Sequence, residues 1–379
     1  SGVLTTHFDY HSIEGRMTKL DILGHDDPTI IRMLEDLTGI DAKTIPFDDP
    51  RTLSLFSSTE GIGLTPEQLQ GDQVASLAVP ECGTKFVRGM LEDSRPQTFS
   101  DLVRISGFSH GTNVWLDNAQ DLIKNGTCKL NEAISTRDDV MNFLIHRGMD
   151  RKHSFFVMEN VRKGKGIEKR NKQGQATTEF EAEMRENNIP EWFIESCKKI
   201  SYLFPRAHAV AYVMMAFRIA WFKVYHPLAF YAAYFSIRAK AFDLRIMTGD
   251  LKTQMTEFNR IKALDRAASP KDKDLMSALE VSMEMYQRGY RFINVDIQHS
   301  EARRFSIKDG ALLPPFLAID SLGETVADAI VAEREERPFT SLKDLQRRCK
   351  VSNTIIDLMK ELKCCGELPE DEQMSLFGA

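Results

Sequence analysis

The sequence predicts a mainly α protein that carries one small β-hairpin, and three observations support this. Apolar residues recur at helical spacing over most of the chain, as in Ile30, Ile31, Met33, Leu34 and Leu37. Asp309-Gly310 stands between two short apolar runs, 304–308 and 311–314, which is a strong local hairpin signal. No fixed-period repeat and no long low-complexity tract interrupts this texture.

Taken in order, Lys19-Leu20-Asp21-Ile22-Leu23-Gly24 reads as a short strand ended by glycine. Asp27 is then expected to cap a helix with Pro28 at its first position. Helices are expected at 117–125, 132–134, 139–147 and 179–186. The stretch 163–178, rich in Gly, Lys, Gln and Asn, is expected to be a mobile loop. Residues 242–289 return to a helical pattern, with a charged loop at 269–274. After the hairpin come short helices to about Gly366, and the acidic end from Glu367 on is expected to be disordered when unbound.

The chain has 379 residues, enough for two or three domains, and 42% of them are hydrophobic. The longest apolar stretch, 210–217, is broken by Arg218 and reads as a buried helix rather than a membrane span. No signal peptide opens the sequence. The six cysteines form no CxxC pair, which argues for reduced thiols in a cytoplasmic protein. The net charge of -6 argues weakly against nucleic acid, but its distribution is uneven. Nine Lys and Arg residues crowd 147–172 against Asp150, Glu159 and Glu168, whereas acids gather at 367–372.

Five patterns could carry chemistry. Asp21 faces opposite to Leu20 and Ile22 on its strand. Phosphoryl transfer uses such projecting carboxylates to hold two divalent cations, although one carboxylate is not a site and a solvated Asp fits as well. Phe204-Pro205-Arg206-Ala207-His208 enters a long apolar helix. Arg206 and His208 would sit at a helix start, where backbone amides favour an anion. The basic run, with Arg147, Arg162, Lys163 and Lys165, could neutralise phosphates or be a solvated loop. Residues 316–330 have the form of a helix-hairpin-helix whose turn, at Ser321, Leu322, Gly323 and Thr325, presents amides to a phosphate. A plain αα-hairpin is the alternative. A weaker second half follows around Val351-Ser352-Asn353. Last, Gln373, Met374, Ser375, Leu376 and Phe377 place an apolar pair behind an acidic spacer. That suits docking into a partner's pocket, or is a frayed end.

Together these residues resemble one family, the C-family replicative DNA polymerases of PolC type, the Gram-positive form of the DNA polymerase III alpha subunit. The segment 19–29 resembles the part that carries the third palm aspartate. Ser106-Gly107-Phe108-Ser109-His110-Gly111-Thr112, 161–166 and 204–212 resemble the fingers. Residues 321–334 resemble its helix-hairpin-helix, and 373–377 its clamp-binding pentapeptide.

The resemblance implies a palm remnant at 1–27, fingers at 28–240, a helical connector at 241–303, a β-hairpin with tandem helix-hairpin-helix at 304–366, and a clamp-binding tail at 367–379. It further implies template-directed addition of dNMP to a primer 3′-OH with two magnesium ions. Asp21 would hold metal. Arg206 and His208 would meet the triphosphate, with Arg147, Arg162, Lys163 and Lys165 as further phosphate contacts. Ser109, His110 and Gly111 would lie near the nascent base pair. Expected partners are primer–template DNA, dNTP, the sliding clamp and other replisome subunits, with no membrane. The sequence departs from the family in three ways. No upstream PDxDxxF-like aspartate pair is present, so this C-terminal fragment is expected to be inactive alone. Residues 169–177 look inserted, and Arg206 stands where lysine is common. A non-catalytic DNA-binding or clamp-adaptor protein is the alternative reading.

Overall fold

A computed structural model describes residues 2, 4–13, 16–18, 20, 24–170, 176–177 and 179–371. The fold is mainly helical, with two short antiparallel hairpins. The expected strand around Asp21 and the tail residues Gln373 to Phe377 lie outside the described residues.

Local chemistry sets the helix ends. Thr98 with Asp101, Thr136 with Asp139, and Ser269 with Asp272 form reciprocal capping boxes. Ser269 therefore starts the helix Pro270–Gln287, and the charged stretch expected as a loop is that helix's first turn. The first long helix, Asp26–Thr38, also differs from expectation. His25 is its cap and accepts from the Asp27 backbone N–H, while the Asp27 carboxylate turns inward to Arg238. Residues 132–134 form turns, and Asp117 has φ 55, so the helix there begins only at Gln120. The stretch expected as a mobile loop contains a two-residue ladder pairing Lys169 with Thr177 and Arg170 with Ala176. The second hairpin is as expected: Ser306–Lys308 pairs with Ala311–Leu313 across Asp309 and Gly310, both at positive φ.

Three apolar clusters organise the chain. The first runs from Leu55 to Val224 and centres on Phe56, Phe108, Phe193 and Phe217. The second joins Ile30, Met33 and Leu34 to Phe222, Phe230, Leu279 and Leu312. It therefore unites residues expected in the fingers with residues expected in the connector. The third holds the C-terminal module from Phe316 to Met359. The helix Arg206–Tyr225 is long and apolar enough to cross a membrane by length and composition. Its residues enter two clusters: Phe217 and Ala220 face the first, Ile219 and Phe222 the second. An all-round apolar helix is what a shared core demands.

Where the first two clusters meet, a dry ionic centre ties four segments together. Lys223 and Glu284 are both fully buried. Lys223 Nζ donates to Ala75 O at 2.8 Å, to Leu77 O at 2.6 Å and to Glu284 Oε2 at 2.9 Å. Tyr231 donates to Glu284 Oε1 at 2.7 Å, and Arg288 donates to both the Tyr231 hydroxyl and Lys223 O. Burial pulls the Lys223 ammonium down to about 8, opposed by Glu284.

The C-terminal module repeats one unit twice. Ser321 (φ 64), buried Leu322 and N-capping Gly323 precede the helix Glu324–Glu336. Lys350 (φ 56), buried Val351 and N-capping Ser352 precede the helix Asn353–Glu361. The first unit is entered by a short 3₁₀ helix, Phe316–Ala318. Leu342 and Lys343 donate backbone hydrogen bonds to Pro369 O and Glu370 O, so the chain is held to the module beyond Glu367, past the point where order was expected to end.

Candidate functional site

The helix Phe99–His110 ends at His110, with Ser109 beside it. His110 Nδ1 lies 2.8 Å from Ser106 O and Nε2 lies 3.0 Å from Glu81 Oε2. With Nδ1 donating to the Ser106 carbonyl, a doubly protonated ring would face Glu81 as an ion pair. The Glu81 hydrogen bond raises the His110 pKa against burial, and the same bond holds Glu81 below its usual range. Ser109 Oγ donates to Ser106 O at 3.0 Å and lies 3.1 Å from His110 Nδ1.

From His110 an unbroken line of rings leads back to the chain's start. His110 stacks on Phe204 at 4.7 Å. Phe204 meets His208 edge-on at 4.9 Å, His208 meets Tyr212 at 4.6 Å, and Tyr212 meets His25 at 4.9 Å. Phe204 is held in place by Arg137 N, which donates to its carbonyl at 3.1 Å. His25 Nδ1 then lies 3.3 Å from Asp27 Oδ2. Ligand atoms of His25, Asp27 and Glu81 lie within 4.8 Å of one another, which closes the line into a ring.

Asp27 and Glu81 each have a buried carboxylate oxygen without a hydrogen-bond partner among the described residues. The Asp27 side chain is fully buried, and Oδ1 accepts from Arg238 Nη2 at 2.8 Å, but Oδ2 has no hydrogen-bond partner among the described residues. Burial pushes its carboxyl above the usual range, against the pull of Arg238. A buried unpaired oxygen beside an imidazole and a second carboxylate can take a proton, a water or a cation. Magnesium does not fit the set well, because it prefers oxygen ligands and here one donor is nitrogen and a guanidinium adjoins.

The other expected residues are placed as follows. Arg206 and His208 share a helix start but are two residues apart, so their side chains point to different faces. Arg206 Nη2 ion-pairs with Asp139, and its backbone N–H donates to Asp138 at 2.8 Å. Asp139 is buried, which raises its pKa, but Arg104, Arg206 and hydrogen bonds from Thr136 and Ser135 outweigh this and hold it low. Gly111 has a packing role, since a Cβ there would clash with Val114 and Tyr202 O. Arg147 lies over the Phe143 ring at 5.3 Å. Arg162 and Lys163 share Glu159, whose carboxyl they hold at about 2, while Lys165 is exposed. Asp21 lies outside the described residues.

In the C-terminal module, Ser321, Gly323 and Thr325 are exposed, whereas Leu322 is buried and contributes only its backbone. The N–H groups of Gly323, Glu324 and Thr325 have no partner among the described residues and open to solvent at a helix start. Arg303 neutralises the nearby Glu324 and Asp328.

The sequence reading missed Glu81, Asp27 as a site member, Arg238 and Asp139. Glu81 lies in a loop with no motif, and its one distinguishing mark, φ 64, is visible only in the structure.

Comparison with known proteins fits this layout. Residues 27–188 match the family described as bacterial DNA polymerase III alpha subunit finger domain, and 289–373 match a helix-hairpin-helix motif. Among curated relatives, DNA polymerase III PolC-type of Caldanaerobacter subterraneus subsp. tengcongensis is 54% identical over 375 residues, 99% of this chain and 26% of that protein. The Thermotoga maritima protein of the same name is 53% identical, covering 100% of this chain and 27% of its own length. That of Bacillus subtilis is 52% identical, covering 98% and 25%. The chain belongs to the PolC-type DNA polymerase III family and spans about a quarter of the length of the curated relatives it matches.

Proposed function

We propose that this chain is the nucleotide- and DNA-handling C-terminal part of a bacterial replicative DNA polymerase, working in the cytoplasm. The observation that carries this reading is the ring of His110, Phe204, His208, Tyr212 and His25. It joins the end of the helix Phe99–His110 and the start of the helix Arg206–Tyr225 to the segment that follows Asp21 closely in sequence.

In the parent reaction the primer 3′-oxygen attacks the α-phosphorus of a dNTP. A new P–O bond forms, the bond to pyrophosphate breaks, and the hydroxyl proton leaves to a base or to water. Charge grows on the triphosphate oxygens, and cationic groups at helix starts stabilise it. His208 and the helix-start amides after Arg206 N, which Asp138 occupies, are assigned to the triphosphate. Arg206 joins them on leaving Asp139, which acts as its rest position. His110, held as an imidazolium by Glu81, adds positive charge beside the flat Phe204 face where a base pair would lie. Arg147, Arg162, Lys163 and Lys165 are assigned to outlying phosphates. The magnesium ions are assigned to Asp21 together with carboxylates elsewhere in the whole polymerase, and not to His25, Asp27 and Glu81. With Asp21 as its one such carboxylate, the 379-residue chain is expected not to extend a primer.

The hairpin at Ser321 and Gly323, and its repeat at Lys350 to Ser352, would hold duplex backbone through unpaired amides without reading sequence. Gln373, Met374, Ser375, Leu376 and Phe377 are assigned to the sliding clamp.

The decisive measurement is steady-state dNTP incorporation by the intact polymerase with His208→Ala or Arg206→Ala. The dNTP KM should rise about tenfold or more, as expected for loss of a charge-assisted phosphate contact. An unchanged KM in both variants would remove the nucleotide assignment.

A further inference from the structure

The helix Arg151–Arg162 has two apolar faces, and only one of them serves the core. Ser154, Val157, Met158 and Val161 are buried. On the opposite face Phe155 and Phe156 are 47% and 44% exposed, with ring centroids 6.1 Å apart. Two phenyl rings left half exposed side by side suit an interaction surface.

Their flanks say what kind. Residues three and four apart share a helix face. One turn before the rings stand Arg151 and Lys152, exposed and without an ion-pair partner among the described residues. One to two turns after them come Arg162 and Lys163, two cations sharing the single carboxylate Glu159. Exposed Lys165 follows. The face therefore reads cation pair, aromatic pair, then the Glu159 carboxylate outnumbered by Arg162 and Lys163, with a positive balance. An apolar protein partner would have no use for cations at both ends. Duplex DNA would satisfy the cations but not the rings, because its bases are already stacked inside. Single-stranded DNA satisfies both, with bases stacking on phenyl faces and phosphates meeting Lys and Arg.

The face is mechanically tied to the ring site. Leu203 N donates to Arg162 O at 3.3 Å, and Gly164 packs so tightly on Ser201 that a Cβ there would clash. The residue after Leu203 is Phe204, which stacks on His110.

We propose that Arg151, Lys152, Phe155, Phe156 and Lys163 form a binding face for unpaired DNA. Resting on the polymerase reading above, that DNA is the template strand ahead of the primer end. Bases lie against Phe155 and Phe156, and phosphates meet the cations on either side.

The test uses the intact polymerase and a primer–template whose 5′ template overhang carries 5-iododeoxyuridine at one position at a time. Ultraviolet crosslinking followed by peptide mapping should place the adduct on Phe155 or Phe156 for one or two adjacent overhang positions. The double variant Phe155→Leu, Phe156→Leu keeps apolar bulk but removes the stacking surface. Its affinity for oligo(dT) at fixed salt should fall about tenfold or more, with blunt-duplex affinity and thermal stability unchanged. Arg151→Ala with Lys152→Ala should shallow the salt dependence of oligo(dT) binding by about one to two phosphates. Crosslinks that map elsewhere, or a leucine variant that binds oligo(dT) like the wild type, would overturn the proposal and assign the face to protein packing. Either result leaves the nucleotide assignment standing, because that is judged by dNTP KM in the His208 and Arg206 variants.

Discussion

Two charge centres in the protein are built to opposite rules. At the Lys223–Glu284 joint, Nζ has three acceptors, and both carboxylate oxygens have donors. At the ring, Asp27 Oδ2 is buried with no donor, and His25 offers it only a lone pair, since Nδ1 already accepts from the Asp27 backbone. The first centre pairs its charged atoms within the protein, whereas the second leaves Asp27 Oδ2 and Glu81 Oε2 without a hydrogen-bond partner among the described residues. A satisfied buried pair holds segments in place.

The difference can be broken most forcefully at the joint. Glu284→Leu leaves Lys223 buried with no counter-charge and Tyr231 without its acceptor. A loss of about 3–5 kcal/mol is expected, the range for breaking one side of a buried pair. Urea unfolding of the purified chain measures it, and a loss below about 1 kcal/mol would show that the joint is not structural.

The pH response sharpens the contrast next. The His110 pKa is raised, so its contribution is full below the unfolded imidazole value and is lost as pH rises through the folded one. The Glu81 pKa is lowered, so its contribution is present above the unfolded carboxylate value and is lost as pH falls through the folded one. The pair therefore stabilises most at mildly acidic pH, between the two. His110 is about a third exposed, so solvent screening limits the effect to about 1 kcal/mol or less. The stability difference between wild type and Glu81→Gln, followed by thermal unfolding, should shrink above the raised His110 value. A difference that stays flat from mildly acidic to alkaline pH would refute the ion pair.

A smaller effect is expected from Ser321→Gly. Ser321 occupies φ 64, where a side chain is strained, and relieving this should raise stability by about 0.5–1 kcal/mol while leaving duplex affinity intact. A fall in melting temperature would mean that the serine side chain supports the hairpin.

The smallest change is expected at Asp27→Asn. The amide oxygen can still accept from Arg238, and the neutral NH₂ replaces the oxygen that has no donor. Stability should stay within about 1 kcal/mol of wild type, while dNTP KM in the intact polymerase rises. Destabilisation as large as at Glu284 would erase the distinction between the two centres.

What the sequence revealed follows the range over which each signal acts. The hairpin at Asp309-Gly310 and the helix Glu179–Glu186 depend on neighbours within a few residues, and both were legible. The cap at Asp27 was misread because its carboxylate answers to Arg238, more than two hundred positions away in sequence. The turns at 132–134 escaped for the same reason: their backbone serves packing, with Ala133 O accepting from Arg104. In the site, His110, His208 and Phe204 stood in recognisable motifs. Glu81, which completes the ring, belongs to no motif, and only tertiary folding brings it to His110.

Lys223 grips the carbonyls of Ala75 and Leu77, six and four residues before Glu81. In surveying terms this is a datum point set in rock, from which the position of a nearby instrument is measured. Only a short span of chain separates the fixed mark from the carboxylate that aims His110, so little positional error can accumulate between them. Heat or a distant substitution that loosens the mark would spoil the aim of the ring before it unfolded anything. On the proposed nucleotide reading, the first sign of failure would then be a raised dNTP KM in the intact polymerase rather than lost protein.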